Sequence, residues 1–388
     1  MRGTKVPGTW DIFCRVVDNF GDIGVCWRLA RQLAGEQRGT VRLWVDDLAP
    51  LHALWREADP GRARQLVAGV EVHRWSAGFP AVQPAEVVIE AFGCGLPEDY
   101  VLAMVGCGRH PLWVVLEYLS AERWVPEHHG LPSPHPRWPI PRYFFFPGFV
   151  AGTGGVLCEA DLAARRAAFG ADERRRAWAS LGFEPPVAGS TVVSMFAYDH
   201  APLAGLLAAW EQGDEPVVVA VPQGKIVGSF FDYFDVGGVE PGHGFRRGSI
   251  EVRILPFVEQ PRYDELLWSC DCNFVRGEDS FVRAQWAALP LVWHIYPQAE
   301  RAHWHKLEAF LDLYCAGLPQ PAAAAVRAMW RSWNSSDDPA VSIGAAWRGF
   351  QAHRATLAGH AQAWAARLAE LGDMAGRLAQ FCAERVKY

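Results

Sequence analysis

Two aspartates and two glycines lie close together near the start of the chain, in the run Phe13-Cys-Arg-Val-Val-Asp-Asn-Phe-Gly-Asp-Ile-Gly-Val-Cys-Trp-Arg28. An apolar segment precedes Asp18 and a helix-like segment follows Asp22, so we expect the run where a first strand meets a first helix. Gly21 and Gly24 permit a tight turn and close approach of the backbone to a ligand. A carboxylate there could act as a general base or hold a cationic substrate. In the alternative, Asp22 is a helix N-cap and Asp18 a turn former.

A second polar cluster, Arg276-Gly-Glu-Asp-Ser280, follows a strand-like segment and opens a helix-like one. A helix N-terminus and a neighbouring guanidinium can both bind phosphate oxygens, so this is a candidate diphosphate site. The carboxylates of Glu278 and Asp279 suit sugar hydroxyls better than phosphate, because like charges repel. In the alternative, Glu278, Asp279 and Ser280 only cap the helix.

Aromatic residues that could stack on a nucleobase follow two further strands. Phe196 and Tyr198 come after one of them, and Phe257 and Gln260 come after the other. The Gln260 amide or nearby backbone groups could bond a pyrimidine edge. The alternative for Phe196 and Phe257 is an ordinary place in the core.

Metal and hydrolase signals are poor. Cys270-x-Cys272 is one residue short of the Cys-x-x-Cys spacing, and His303-x-His305 would point to different sides of a helix. The sequence contains no Gly-x-Ser-x-Gly elbow. We therefore expect no bound metal and no Ser-His-Asp hydrolase.

Composition limits the class of protein. With 388 residues, the chain exceeds the roughly 250–300 at which single cores stop growing, so two domains are expected. A net charge of −6 without a basic patch argues against a nucleic-acid partner. The sequence shows neither a signal-peptide pattern nor an apolar run long enough for a membrane span, so we expect a cytoplasmic protein that does not bind membranes. Its nine scattered cysteines fit reduced thiols.

The elements that must position these clusters alternate as strands and helices. The predicted strands are Trp10–Val16, Val41–Val45, Val87–Ala91, Leu112–Leu116, Thr191–Phe196, Val217–Val221, Glu251–Leu255, Cys272–Val275 and Leu291–His294. The predicted helices are Ile23–Leu33, Asp161–Ala179, Pro202–Glu211, Pro261–Ser269, Ser280–Ala287, Ala299–Leu311 and the region from Pro321 to the end, with a break near Asn334–Pro339. The proline-rich stretch Glu122–Pro147 is predicted as loop, and Gly182–Gly189 as an interdomain linker and hinge.

This order of elements predicts an α/β protein made of two doubly wound domains that face each other across a cleft. Ligands of such sheets bind at the carboxyl ends of the strands. Both polar clusters follow strands, so we expect both to face one groove.

The run from Trp10 to Arg28, together with Phe196-Ala-Tyr198, Leu255-Pro-Phe257 and Arg276-Gly-Glu-Asp-Ser-Phe281, closely resembles the EarP family of protein-arginine rhamnosyltransferases, which modify translation elongation factor P. The resemblance extends over essentially the whole chain in length and order. It implies a GT-B fold of two Rossmann-like domains and inverting transfer of L-rhamnose from dTDP-β-L-rhamnose to one arginine, without a metal or another cofactor.

The resemblance also implies boundaries and roles for residues. Residues 1–180 would form the acceptor-binding domain, 190–360 the nucleotide-sugar-binding domain, and 361–388 a helix that crosses back to the first. Asp18, Asp22 and Glu278 would be catalytic, with Asp22 the base. The substrate-binding residues would be Phe20, Gly21, Phe196, Tyr198, Phe257, Gln260, Arg276, Asp279 and Ser280.

A protein acceptor also needs a docking surface. Exposed aromatic residues favour interfaces, so the segment Trp113–Pro147, with Glu117, Tyr118, Trp124 and Trp138, is the candidate. The alternative is a loop packed on its own domain. Two other functions stay open from sequence: a GT-B glycosyltransferase that uses a dTDP-sugar on a small-molecule acceptor, and a catalytically silent nucleotide-sugar-binding protein.

Overall fold

The structure, a computed structural model, describes residues 6–18, 20–76, 78–335 and 342–386. The chain divides into two compact units: unit 1 is Met1–Ala160 with Leu368–Tyr388, and unit 2 is Asp161–Arg367.

Unit 1 is built on one mixed sheet. Its strands are β1 (Thr9–Cys14), β2 (Thr40–Val45), β3 (Arg64–Val67), β4 (Val70–Arg74), β5 (Val87–Ala91), β6 (Leu112–Leu116), β7 (Pro132–Ser133) and β8 (Arg142–Phe145). They lie in the order β3-β4-β2-β1-β5-β6-β8-β7, and only the pairs β3–β4 and β7–β8 are antiparallel. Strands β5 and β6 are buried along their whole length, which explains their mainly apolar sequences. The exception is Glu90 in β5, a buried carboxylate that accepts the Gly95 N–H at 3.0 Å and the Trp113 Nε1–H at 2.9 Å.

The helices of unit 1 are α1 (Gly21–Gly35), α2 (Ala49–Leu54), α3 (Glu98–Gly106), α4 (Val125–His128) and, near the end of the chain, α15 (Met374–Ala383). A buried carboxylate fixes β1 among its neighbours. Asp11 is fully buried and accepts hydrogen bonds from Arg42 Nε at 2.6 Å, from Trp44 Nε1 at 3.0 Å and from the Tyr100 hydroxyl. Because a buried charge is stable only when it is paired and hydrogen-bonded, this network ties β1 to β2 and α3.

Unit 2 has a second, mainly parallel sheet. Its strands are β9 (Thr191–Met195), β10 (Val217–Pro222), β11 (His243–Arg247), β12 (Ile250–Leu255), β13 (Cys272–Arg276) and β14 (Leu291–His294). They lie in the order β11-β12-β10-β9-β13-β14, with only β11 antiparallel to its neighbour.

The helices of unit 2 are α5 (Leu162–Ala168), α6 (Ala171–Ser180), α7 (Leu203–Glu211), α8 (Val227–Phe234), α9 (Gln260–Trp268), α10 (Asp279–Ala287), α11 (His303–Cys315), α12 (Gln320–Asn334), α13 (Ile343–Ala352) and α14 (Arg354–Glu370), with a short 3-10 turn at Ala299–Arg301. The last helix, α14, begins in unit 2 and ends in unit 1, whose second part starts at Leu368.

Each sheet has a point where the strand order reverses. In unit 1 the chain starts at β1 and then adds β2 on one side and β5 on the other; in unit 2 the same holds for β9, with β10 and β13. Such switch points leave a crevice at the carboxyl ends of the two strands, where ligands of doubly wound sheets bind. The polar runs after β1 and β13 lie at these two points.

The predicted α/β class and all nine predicted strands are confirmed, with ends that differ by at most two residues. The prediction that Glu122–Pro147 is loop was wrong in part, because it contains α4, β7 and β8. Strand β8 pairs parallel with β6, Trp113 opposite Arg142 through Leu116 opposite Phe145. Its run Tyr143-Phe-Phe-Phe favours a strand more strongly than the flanking prolines oppose one.

The boundary after residue 180 also differs from the structure. The segment predicted as one helix over Asp161–Ala179 forms α5 and α6, which belong to unit 2. Arg174 Nη2 donates to the Ser269 carbonyl at 2.6 Å, and Arg165 forms an ion pair with Asp264 at 3.3 Å. The predicted linker Gly182–Gly189 therefore lies inside unit 2, where Arg253 Nη1 donates to the Glu184 carbonyl at 2.6 Å.

At the predicted break near Asn334–Pro339, α12 ends at Asn334, and residues 336–341 lie outside the described part of the chain. The nine cysteines are all described and are free thiols. Over the described residues, no helix is long and apolar enough to cross a membrane.

Candidate active site

Asp22 is held in one orientation at the carboxyl end of β1. It lies in the first turn of α1 and is only 2% exposed. Its Oδ2 accepts the backbone N–H groups of Val17 and Asp18, both at 2.8 Å, and its Oδ1 accepts the Tyr118 hydroxyl at 3.1 Å. Phe20 occupies the N-cap position of α1, so the interpretation of Asp22 as the N-cap was wrong. The carboxylate instead reaches back and closes the loop that precedes the helix.

Asp18 lies half-buried in the same loop, and its carbonyl accepts the Gly21 N–H at 2.6 Å. Gly21 leaves room for the Asp18 side chain. A Cβ at Gly21 would lie 2.8 Å from the Asp18 Oδ2, closer than real Cβ contacts allow. The structure thus brings the two predicted carboxylates and the glycine between them into one turn.

Tyr118 enters this turn from the loop after β6. Its ring stacks on Phe92 with centroids 4.3 Å apart and an interplanar angle of 13°. Phe92 follows β5 with φ +55°, and its N–H donates to the Leu116 carbonyl at 2.7 Å. The left-handed conformation costs a non-glycine residue about 1 kcal/mol or more, and such strain clusters at functional sites. Three neighbouring strands therefore supply the surroundings of Asp22.

In unit 2 the turn after β13 depends on Gly277 and Ser280. Gly277 has φ +57°, in the region that favours glycine. The Ser280 Oγ accepts the Arg276 N–H at 3.0 Å and donates to the Arg276 carbonyl. Glu278 is half-buried at the N-cap position of α10. The structure therefore places Glu278 at the start of α10 and Arg276 at the end of β13, in the turn that precedes the helix.

The Arg276 guanidinium is held by aromatic rings. Arg276 is 5% exposed, and its Cζ lies 4.6 Å from the Phe196 ring centroid and 4.5 Å from that of Tyr198. Cation–π contacts of this kind are worth up to about 2 kcal/mol when desolvated. Phe196 and Tyr198 thus have a role that the sequence did not indicate, since they orient the planar cation at the switch point.

Gln260 and Asp279 belong to a buried network between α9 and α10. Gln260 Nε2 donates to Asp279 Oδ2 at 3.1 Å, and Arg283 Nε lies 3.3 Å from the same oxygen. Arg283 Nη1 also pairs with Asp264 at 2.9 Å. Asp279 consequently has a structural partner in addition to any ligand. Phe257 lies half-buried in the loop after β12.

Sequence reasoning missed two further side chains of unit 2. His294, the last residue of β14, accepts the Tyr198 N–H through Nδ1 at 3.3 Å, and burial, helped by the nearby His200 and Arg276, lowers its pKa to about 3. The imidazole is therefore neutral. Tyr263 is 8% exposed; within the described residues its hydroxyl has no hydrogen-bond partner, and burial raises its pKa. The position of His294 at a strand end was the signal that could have found it.

The aromatic residues of the candidate docking segment, Trp113–Pro147, do not form one exposed surface. Trp113 is buried, Trp138 packs against the core cluster around Phe13 and Tyr100, and Tyr118 reaches Asp22, whereas Trp124 is 42% exposed. Among the residues that the structure describes, no group of three or more His, Cys, Asp or Glu side chains is placed to hold a metal ion.

Two doubly wound units with polar loops at their switch points define the GT-B fold, which a large class of glycosyltransferases shares. The Anabaena protein HepE, solved with UDP and glucose, has a TM-score of 0.51 at 13% identity and covers 96% of this chain and 98% of its own. At that identity the likeness shows the fold alone.

The chain belongs to the EarP family, since the family model described as Elongation-Factor P (EF-P) rhamnosyltransferase EarP matches residues 10–383. A protein-arginine rhamnosyltransferase of Pseudomonas putida is 49% identical over 378 residues, with 97% of this chain and 99% of the relative covered. The Pseudomonas aeruginosa enzyme of the same name is 46% identical with the same coverage.

A solved structure that describes EarP-mediated arginine glycosylation of translation elongation factor EF-P has a TM-score of 0.68 at 39% identity and covers 96% of this chain and 98% of its own. The resemblance that the motifs indicated is thus confirmed at the level of the family.

Proposed function

We propose that the protein transfers L-rhamnose with inversion from dTDP-β-L-rhamnose to the guanidinium of a specific arginine of translation elongation factor P. The observation that carries the proposal is the family match over residues 10–383, which includes both polar loops. The fixed Asp22 carboxylate and the ring-held Arg276 guanidinium support it, because they supply an acceptor-side base and a donor-side cation.

The acceptor determines what Asp22 must do. A guanidinium keeps its proton up to a pH above about 12, so a carboxylate cannot remove it in advance. Asp22 therefore binds the cation by charge-assisted hydrogen bonds and accepts a proton as the carbon–nitrogen bond forms. Asp18, in the same turn, keeps negative charge beside the guanidinium and helps to orient it.

The displacement proceeds in one step. A guanidinium nitrogen attacks the anomeric carbon of rhamnose from the face opposite the leaving group, the carbon–oxygen bond to the diphosphate breaks, and dTDP leaves. Inversion at the anomeric carbon follows from that single attack.

The donor-side groups stabilise the charge that develops on the diphosphate. Arg276 and the N-terminus of α10 supply positive potential where a metal ion acts in other enzymes, so no metal is needed. Glu278 binds a sugar hydroxyl, Asp279 and Ser280 shape the turn at the sugar and phosphate, and Phe257 with Gln260 contacts the base. Phe20 and Gly21 line the approach to the acceptor.

The test is incubation of the protein with dTDP-rhamnose and elongation factor P, with and without EDTA, followed by intact-mass measurement. We expect one added deoxyhexose on the acceptor in both arms. Loss of transfer in EDTA would refute metal independence. Free arginine and a short arginine peptide serve as small acceptors; modification of these but not of the protein would favour the small-acceptor enzyme. Binding of dTDP-rhamnose without turnover would identify a silent binding protein.

A further inference from the structure

The hydrogen bonds of Asp22 leave one of its oxygens for the acceptor. A carboxylate has about four lone-pair sites, two on each oxygen. Oδ2 uses both, on the N–H groups of Val17 and Asp18, while Oδ1 accepts the Tyr118 hydroxyl. Among the described residues, Oδ1 is therefore the oxygen with capacity for one more donor. This assigns the proton-accepting position to Oδ1.

The orientation of Oδ1 depends on Tyr118. The two backbone hydrogen bonds hold only Oδ2. The hydrogen bond from the Tyr118 hydroxyl to Oδ1 therefore limits rotation of the carboxylate group about its Cβ–Cγ bond. Tyr118 in turn has little freedom, because its ring stacks on Phe92 at 4.3 Å and Phe92 is fixed by its backbone bond to the Leu116 carbonyl. The left-handed backbone of Phe92 is the strained point of this chain of contacts.

We propose that Tyr118 is a positioning residue that aims Oδ1 of Asp22 at the acceptor guanidinium. The inference rests on the proposed function and adds to it a residue on a different strand end. Reactions between oriented groups are sensitive to small displacements, and a shift of about 1 Å can cost about 100-fold in rate.

The variant Tyr118→Phe removes the hydroxyl and keeps the ring that stacks on Phe92. We expect its kcat to fall about 10- to 100-fold while the KM for dTDP-rhamnose stays within about twofold. Tyr233→Phe is the matched control, because it also removes a tyrosine hydroxyl that donates to a carboxylate, that of Glu211 at 2.9 Å, outside both polar loops. Its kcat should equal that of the wild type.

A double-mutant cycle separates positioning from general damage. If Tyr118 acts through Asp22, Tyr118→Phe should have no further effect on the residual rate of Asp22→Asn, measured at high enzyme concentration over long incubations. An additive loss in that background would overturn the inference, as would a kcat for Tyr118→Phe within twofold of the wild type. Unchanged thermal unfolding and dTDP binding establish that the variants are folded.

The two proposals fail in different ways. If the wild type adds no deoxyhexose to elongation factor P, the proposed function fails and the inference falls with it. If the wild type transfers rhamnose and Tyr118→Phe does so equally fast, only the inference fails.

Discussion

Replacement of Asp22 by asparagine should remove the base and leave the turn in place. The asparagine Oδ1 can accept the Val17 and Asp18 N–H groups, and its amide can face the Tyr118 hydroxyl, which can accept as well as donate. The shape of the loop is therefore kept. What is lost is the negative charge.

The magnitudes follow from these contacts. Hydrogen bonds to a charged group contribute about 1.5–3 kcal/mol and neutral ones about 0.5–1.5, so two weakened backbone bonds lower the free energy of unfolding by about 2 kcal/mol. The lost charge in the first turn of α1 adds about 0.5 kcal/mol. In a unit of this size, Tm should fall by roughly 5–10 °C. Removal of a general base lowers kcat by about 100- to 10,000-fold.

The assay is the initial rate of deoxyhexose addition to elongation factor P, with dTDP affinity measured in parallel. Asp46→Asn is the matched control, because the exposed Asp46 carboxylate also accepts a backbone N–H of this loop, that of Val16, at 2.9 Å. We expect its kcat to change by less than about threefold. Near-normal turnover of Asp22→Asn with unchanged dTDP affinity would refute the base assignment. An equal loss in Asp46→Asn would assign the effect to loop support.

Three further predictions concern the surroundings of the two loops. Gly21→Ala should raise Tm slightly, because alanine favours a helix by about 0.5–1 kcal/mol. It should also lower kcat, because the added Cβ displaces the Asp18 carboxylate. The control is Gly35→Ala, at an exposed place in the same helix with open space around it, which should raise Tm and leave kcat unchanged. Arg276→Lys loses the planar stacking on two rings, so the Kd for dTDP by calorimetry should rise about tenfold, and an unchanged Kd would contradict the role. His294 has a pKa of about 3 in the folded protein and about 6.5 in the unfolded chain. The unfolded chain therefore binds the extra proton, and the free energy of unfolding falls as pH falls below about 6.5. Between pH 7.5 and 5.5, chemical denaturation should show that the wild type loses about 1 kcal/mol more of this free energy than His294→Asn.

Local patterns were sufficient to predict the strands that form the two sheets. Strands β5 and β6 are buried on both faces, so their sequences are apolar except for Glu90, and their ends match the prediction. Strand β8 was missed because a proline-rich context argues for loop, while its pairing with β6 is a long-range contact that no local pattern reports. The placement of α5 and α6 failed for the same reason, since the bonds of Arg165 and Arg174 reach residues about a hundred positions away.

The candidate site shows the same division. The sequence predicted that Asp18, Asp22 and Arg276 lie at the carboxyl ends of strands, where ligands of doubly wound sheets bind, and the structure places them there. The sequence did not predict the partners that orient these side chains. Tyr118 lies 96 positions from Asp22, and Phe196 lies on a different strand end from Arg276. Distant residues meet only when the sheet order is known.

We propose that this protein attaches rhamnose to an arginine side chain of elongation factor P through Asp22. The most direct measurement is fragmentation mass spectrometry of the acceptor after reaction with dTDP-rhamnose, with the wild type and Asp22→Asn compared at equal protein concentration. We expect one deoxyhexose on a single arginine with the wild type, and at most about 1% of that initial rate with the variant. A deoxyhexose on another residue type, or equal rates for the two proteins, would contradict it.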